Sequence, residues 1–418
     1  MKIKIKKRNT LQWATIFVIG TLMVVRIPML MYIIQAVFLL FAIPKAVHSK
    51  ISKCQIEYLY CNLAFILVSA LSLIWSSNTS YSISSVVSIL QVFLISFLIF
   101  ITCNKKNDYY DIIDKFSIIS WIFMAYIIFS TSKEEWKTIF AYNTNLSSSA
   151  GRLGPSVGMH TNMCGAVLSI LIMFSFYEYL SKKTKVSLIQ TILLLVFLTL
   201  TKSRMSILVV VLGMSLYYTI YKELSGKQAI KIIGVLIVLI ILLVLSMSNQ
   251  FLYNLYGNRI ESMFNFFSKT ANTDASVTGR LALQQRAIEV FLNHPILGVG
   301  IGNFSSYSNN LGGVSGFYAH NNFLELLADV GIVGTVMYYT PYVIALVKTR
   351  TVAKRCESKA AMFFNFLFVL IVVRLLSDIS QVSYLFDSSQ LVLVLVFVAL
   401  RIEYEHPEME TSGIKSNV

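Results

Sequence analysis

Long apolar segments dominate this sequence and limit what it can fold into. Many of them reach the roughly 20 residues that a helix needs to cross a bilayer. Hydrophobic residues make up 56% of the 418 residues and charged residues only 13%, against roughly 25% charged in an average soluble domain. The alternating pattern of membrane-spanning strands is absent from the sequence. The chain is therefore predicted to be an all-α polytopic membrane protein.

Twelve apolar segments are long enough to be counted as spans. Their approximate bounds are 11–27, 28–44, 57–76, 83–103, 112–130, 162–180, 186–201, 204–221, 230–247, 322–347, 360–377 and 388–402. The first follows the basic arm MKIKIKKRNT, and no small-residue cleavage site comes after it, so we expect an uncleaved helix. Residues 1–402 should form the transmembrane domain, and 403–418 a disordered cytoplasmic tail.

The distribution of Lys and Arg predicts the topology. If the N-terminus is cytoplasmic, 24 of the 35 basic residues lie in the terminal arms and the cytoplasmic loops. This asymmetry is the positive-inside rule, and it favours twelve spans with both termini cytoplasmic. The same rule accounts for the net charge of +15. Nucleic-acid binding is not needed to explain that charge, because the sequence shows no basic face on a soluble module.

Two outer segments are too long to be simple connections, namely residues 131–161 and 248–321. Loops of this length are usually functional or disordered. The second, between spans nine and ten, is the large extracytoplasmic loop of the predicted fold. Within it, Thr278–Asn293 has the apolar spacing of an amphipathic helix, which His294-Pro295 would end.

Several motifs have a simpler structural interpretation. The sequence GVGIGNF at 298–304 follows no strand of a βαβ unit, so it predicts a tight turn that approaches a ligand or a helix rather than a dinucleotide loop. Glu325 and Asp329 lie on one helical face and could bind a metal, but hydrogen bonding within the bundle is the simpler role. The five cysteines lack metal-ligand spacing and are expected to be packing residues.

Eleven basic residues remain at the outer face once the cytoplasmic ones are removed. They are Arg26, Lys133, Lys137, Arg152, Lys202, Arg204, Arg259, Lys269, Arg280, Arg286 and Arg374. Charges such as Arg204, in a short turn between two spans, and Arg374, near the end of a span, are costly and are functional candidates. Because guanidinium groups match phosphate oxygens, several arginines without a matching set of carboxylates predict an anionic ligand. The alternative is snorkelling to lipid headgroups.

His320 is the candidate base. Its ordinary pKa near 6.5 suits proton transfer at neutral pH. It lies at the mouth of a span in the sequence HNN, with Glu325 further along the same helix. A purely structural histidine at this position is the alternative.

Three groups of residues resemble the O-antigen ligase and polymerase family. One contains Gly279-Arg280, HPILGVG at 294–300, and Ala319-His320-Asn321 followed by Leu324, Glu325, Gly331 and Gly334. Another is the Ser-Arg turn TKSR at 201–204, and the third runs from Arg152-Leu153-Gly154 to His160, Thr161 and Asn162. The resemblance covers residues 150–345, whereas the first 130 residues match only in hydropathy.

The resemblance implies a bundle of the GT-C kind and glycosyl transfer outside the bacterial cytoplasmic (inner) membrane, from a glycan on undecaprenyl pyrophosphate. It assigns Arg204 and Arg280 to the pyrophosphate and His320 to the acceptor hydroxyl, with no cofactor, metal or nucleotide. Six further residues are expected to bind substrate: Arg152, Arg286, Asn162, Asn321, Arg374 and Glu325.

The expected partners are the undecaprenyl-pyrophosphate-linked oligosaccharide, membrane lipids, a chain-length regulator and a flippase. Composition favours a repeat-unit polymerase over a ligase that moves finished polymer to an acceptor. A lipid-linked oligosaccharide flippase is the alternative from another class, and it should carry ionisable residues or broken helices at the bilayer midplane. A non-catalytic assembly protein is a further alternative.

Overall fold

The computed structural model describes residues 10–24, 27–103, 106–140, 151–222, 275–308, 317–356 and 358–405. Within these ranges the regular structure is helical, without strands. The helices are α1 Thr10–Val24, α2 Pro28–Val47, α3 Lys53–Leu71, α4 Thr79–Thr102, α5 Lys106–Asp114, α6 Phe116–Ser130, α7 Lys133–Phe140, α8 Thr161–Lys182, α9 Lys185–Leu200, α10 Arg204–Tyr221, α11 Ala275–Asn293, α12 Phe304–Tyr307, α13 Asn322–Arg355, α14 Ser358–Ser377 and α15 Asp387–Glu405.

Eight helices in this part of the chain are long and apolar enough to cross a membrane, and two shorter ones, α1 and α9, are also apolar. The protein is thus an all-helical, multi-pass membrane protein, as the sequence predicts. Eleven of the twelve predicted segments coincide with helices, and the ninth, 230–247, lies outside the described residues. The total of twelve spans therefore stays a prediction.

Two helix ends differ from the predicted bounds. Helix α13 continues to Arg355, beyond the predicted limit of 347, and α15 continues to Glu405, which includes the first residues of the expected tail. The last turn of α13 ends in Lys354 and Arg355. Basic side chains there interact favourably with the helix dipole, so the helix extends past the apolar segment.

Local sequence explains where several helices begin. Ser52 and Gln55 form a capping box at the start of α3, and Asn78 caps α4 by accepting a hydrogen bond from the amide of Tyr81 at 3.2 Å. Pro28 begins α2, where its missing N–H costs nothing. These signals stand directly before the apolar segments and help to set their register.

The two ends of the bundle differ in character. At one end, Lys45 and Arg401 donate to the last carbonyls of α4, with Lys45 Nζ 2.7 Å from the Thr102 oxygen and Arg401 Nη2 2.8 Å from the Cys103 oxygen. This is the end predicted to be cytoplasmic. The opposite end carries the α3–α4 and α9–α10 turns, the start of α13, and the predicted site residues.

Candidate functional site

The segment 294–304 lies against a break in α13. Gly331 interrupts that helix with φ 62° and ψ −168°, and a Cβ atom there would come 2.3 Å from the carbonyl oxygen of Ile296. The amides of Val299 and Gly300 donate to the carbonyls of Ala328 and Asp329 at 3.0 and 2.8 Å. The glycine-rich sequence therefore forms the predicted tight turn, which approaches a helix backbone.

Asp329 fixes this turn from inside the protein. Its fully buried carboxylate accepts hydrogen bonds from the amides of Gly302 at 3.0 Å and Phe304 at 2.8 Å, and from the Tyr384 hydroxyl at 3.1 Å. The prediction that this residue hydrogen-bonds within the bundle is confirmed. The turn also rests on the α3–α4 connection, where the Ile301 amide donates to Ser72 Oγ at 2.9 Å.

His320 has a strained backbone. Its φ of 54° lies in the left-handed region, which is uncommon for a residue other than glycine. Its Nδ1 is buried and has no hydrogen-bond partner in the described part of the chain. Strain and an unsatisfied buried polar atom together are typical of a functional site.

The residues around His320 hold it in place. Glu325, only 4% exposed, accepts a hydrogen bond at 2.5 Å from the amide of Ala319. Asn321 caps α13 by accepting from the amides of Phe323 and Leu324 at 3.0 and 3.1 Å. Both residues were predicted to bind substrate. Here the carboxylate of Glu325 and the side-chain oxygen of Asn321 instead shape the turn that presents His320.

Asn322 is a positioning residue that the sequence analysis missed. Its side-chain oxygen accepts from the backbone amides of Ser383 and Tyr384 at 2.7 and 2.9 Å. Its backbone N–H donates to the backbone carbonyl of Asp378 at 2.8 Å. It thereby joins the start of α13 to the α14–α15 connection. The second Asn of the HNN sequence was the available signal.

The structure overturns the premise that the outer arginines lack carboxylate partners. Arg374 is 3% exposed and forms an ion pair with Asp378 one helical turn away. Its Nη2 donates to Ser383 Oγ at 2.5 Å and Ser389 Oγ at 2.7 Å. Arg374 therefore neither snorkels to lipid nor presents these donors to a ligand, because internal partners occupy them.

Arg286 also has a carboxylate partner. Its Nη1 lies 2.9 Å from Glu289 Oε2, and its Nε donates to the carbonyl of Tyr307 at 3.0 Å. This ion pair is between exposed side chains on one face of α11, a kind of pair that contributes little to stability. The arrangement ties α11 to α12.

Arg152 supports the turn between α9 and α10. Its Nε donates to the Thr201 carbonyl at 3.0 Å and its Nη2 to the Lys202 carbonyl at 3.4 Å, so it satisfies carbonyls at the end of α9. The same Nη2 lies 3.5 Å from Asn162 Oδ1, which also accepts from Ser203 Oγ at 3.3 Å. The structure thus brings together two predicted site residues, Arg152 and Asn162, beside Arg204, the first residue of α10.

Arg280 differs from these arginines. It is half-buried on α11, and within the described ranges it has neither a hydrogen bond nor an ion pair. It acts electrostatically on His160 and His320: burial, Arg280 and His160 together lower the pKa of His320 to about 3. Burial, Arg152 and Arg280 lower the pKa of His160 below its ordinary value. Both imidazoles are therefore neutral at neutral pH.

Helix N-termini add to the positive character of this region. Helices α8 and α10 start side by side, since a Cβ atom on Gly165 would come 2.4 Å from Ser206 Oγ. The N-terminus of a helix carries a partial positive charge and favours anions.

In the described ranges no group of three or more His, Cys, Asp or Glu side chains has the arrangement of a metal site. The site combines cationic groups suited to an anion with a neutral imidazole that can accept a proton.

The fold is that of a multi-pass membrane protein, and arginine and histidine side chains are gathered at one end of its bundle. Residues 189–339 match the family model described as O-antigen ligase. Over this part of the chain the sequence is similar to that family, which supports the resemblance to the O-antigen ligase and polymerase family. It extends from α9 into α13 and includes Arg204, Arg280 and His320. No curated protein gives a significant match to the chain.

Proposed function

We propose that this protein polymerises oligosaccharide repeat units carried on undecaprenyl pyrophosphate, at the outer face of the bacterial cytoplasmic membrane. The observation that carries the proposal is Arg280: a half-buried guanidinium without a carboxylate partner in the described ranges, acting on the neutral, strained His320. A cation that is partly removed from water normally pairs with an anion. A diphosphate leaving group supplies one.

In the transfer reaction the arginines act on the leaving group and His320 acts on the acceptor. The bond between the anomeric carbon and the diphosphate oxygen breaks, and the electron pair leaves with undecaprenyl pyrophosphate. Arg204 and Arg280 stabilise that developing charge. The acceptor hydroxyl attacks the opposite face of the sugar, and its proton passes to His320.

Electrostatic coupling between Arg280 and His320 links donor binding to the activity of the base. In the unliganded protein the positive charge of Arg280 helps to lower the pKa of His320, which keeps the base unprotonated. A bound diphosphate offsets that charge and raises the affinity of His320 for a proton. The base therefore becomes effective when the donor substrate is in place.

The proposed topology puts this site at the outer face of the cytoplasmic membrane. The bundle end that carries Lys45 and Arg401 is the basic, cytoplasmic one under the positive-inside rule, and the Arg280 site lies at the other end. Both termini are then cytoplasmic, in a membrane of twelve spans. A flippase that delivers repeat units and a regulator of chain length would act beside this face.

A ligase that transfers finished polymer to an acceptor is the second candidate, and the description of the matching family favours it. Ligase and polymerase would share the donor site and differ in the acceptor. A flippase is less compatible with the bundle, because charged side chains in the described spans, such as Asp329 and Arg374, lie towards helix ends. The break in α13 at Gly331 is also nearer to the start of that 34-residue helix than to its end. Transporters carry their polar sites near the bilayer midplane.

The proposal is tested in a strain from which the gene for this protein is deleted. The measurement is the size profile of surface polysaccharide and of its lipid-linked precursors. Single repeat units in place of long chains are the expected result. Long chains stranded on undecaprenyl pyrophosphate would instead identify a ligase. Repeat units trapped on the cytoplasmic leaflet would identify a flippase and overturn the catalytic roles of Arg280 and His320.

A further inference from the structure

His160 has a fixed hydrogen-bonding role at the start of α8. It is the N-cap residue, and its Nδ1 lies 3.3 Å from the backbone nitrogen of Asn162. A backbone N–H can only donate, so Nδ1 must accept with its lone pair. In the neutral ring the proton is then on Nε2. His160 as a whole residue is exposed, although part of its side chain is buried enough to help lower its pKa. The described residues show no partner for Nε2–H, which is therefore available as a donor.

The surroundings of this donor are cationic. Asn162, two residues on, accepts from Arg152 at 3.5 Å and from Ser203 at 3.3 Å, and Ser203 directly precedes Arg204. The charged side chains that act on His160 are Arg152 and Arg280, and no carboxylate of the described ranges is among them. A hydrogen-bond donor surrounded by arginines fits an anion.

We propose that His160 donates its Nε2–H to the diphosphate of the lipid-linked donor, beside Arg204 and Arg280. This assignment rests on the proposed function, since it concerns the leaving group of that reaction. A neutral imidazole adds a directional hydrogen bond without a further fixed charge. His160 and His320 would thus have separate roles, the first on the leaving group and the second on the acceptor hydroxyl.

The competing interpretation is that His160 only caps α8. Two substitutions separate the roles. In His160→Asn the side-chain oxygen is attached at the Cγ position, as Nδ1 is, so the cap is kept and the distal donor is lost; Asn is also a favoured N-cap residue. In His160→Gln the amide nitrogen can reach the position of Nε2, so the donor is kept and the cap is weakened.

The measurements are the binding of inorganic pyrophosphate by calorimetry and the melting temperature, on the full-length protein in lipid nanodiscs. For His160→Asn we expect an unchanged melting temperature and an affinity weakened about tenfold, the effect of one hydrogen bond to a charged group. For His160→Gln we expect a lower melting temperature and an affinity within about threefold of the unmodified protein, which is less than the effect of losing that hydrogen bond.

Three outcomes would overturn the assignment. If His160→Asn binds pyrophosphate as tightly as the unmodified protein while Arg280→Ala does not, the proposed function stands and the role of His160 is wrong. If affinity falls in step with melting temperature across both variants, His160 is only a cap. If the unmodified protein neither binds pyrophosphate nor polymerises lipid-linked repeat units, the proposed function fails, and this role fails with it.

Discussion

The carboxylate of Glu325 accepts a 2.5 Å hydrogen bond from the amide of Ala319, the residue directly before His320. This contact fixes the backbone just before His320, whose left-handed conformation leads into α13. Glu325, which was predicted to bind substrate, therefore supports the candidate base His320. Its effect on the reaction should come through the placement of the imidazole.

For Glu325 we therefore expect an effect on turnover. In Glu325→Ala the Ala319 amide loses its partner and His320 is no longer fixed, so kcat should fall about tenfold or more while KM for the lipid-linked repeat unit changes little. Glu325→Gln keeps an acceptor oxygen and should recover most of the rate. A rise in KM with unchanged kcat in Glu325→Ala would instead return Glu325 to the substrate-binding residues.

Arg280 and Arg286 lie on the same helix and should differ in importance. Arg280→Ala removes a guanidinium that the described residues leave unpaired, and we expect polymerisation to fall by about 100-fold or more, as for loss of a group that stabilises transition-state charge. Arg280→Lys should also be impaired, because lysine lacks the two-pronged donor. Arg286→Ala should have a much smaller effect because Arg286 already pairs with Glu289. Equal effects measured on purified protein would contradict this ranking.

The buried pair of Arg374 and Asp378 should contribute to stability through mutual neutralisation. Arg374→Met leaves a buried, uncompensated carboxylate and should destabilise the protein by about 3–5 kcal/mol. Adding Asp378→Asn removes that charge, so the double variant should melt above the single one. Melting curves in detergent provide the comparison. A double variant less stable than Arg374→Met would show that the carboxylate is needed for another reason.

Gly331 should tolerate no side chain. Its φ of 62° and the contact of 2.3 Å to Ile296 that a Cβ atom would make predict that Gly331→Ala lowers the amount of folded protein in the membrane. Gly279→Ala is the matched control, because a Cβ atom there meets nothing within 4 Å, and in a helix alanine is favoured by about 1 kcal/mol. Normal abundance of Gly331→Ala would show that the break in α13 can relax.

The lowered pKa of His320 predicts how stability depends on pH. Between the folded value of about 3 and the unfolded value near 6.5, the unfolded state binds more protons, so stability rises with pH through this window and is level above it. Moving from pH 7 to pH 5 should cost about 2 kcal/mol at most through this group. His320→Gln should reduce the loss in melting temperature over that interval. An identical loss in the variant would mean that His320 does not titrate in this way.

The spans and their caps could be predicted because the signals are local. Apolar length defines the helices, and Asn78 stands directly before α4. The tight turn at 298–304 was also predictable from its glycines. The chemical types of Arg280 and His320 single them out as site residues, and their roles stay predictions. Each of these inferences needs only neighbours in sequence.

The support of the site could not be predicted in the same way. Asn322 bonds the amide of Ser383, 61 residues further along the chain, and nothing local shows that α13 meets the α14–α15 connection. Arg374 and Asp378 are a different case. Their spacing of one helical turn was visible in the sequence, and considering it would have removed Arg374 from the residues expected to face a ligand.

The most direct test of the central claim is polymerisation by the purified protein in nanodiscs, with undecaprenyl-pyrophosphate-linked repeat units as the only substrate. We predict long chains from the unmodified protein and none from Arg280→Ala. Lys137→Ala, which removes an exposed charge paired with Glu134, is the control and should make normal chains. Normal chain length from Arg280→Ala would contradict the proposal that this guanidinium holds the diphosphate.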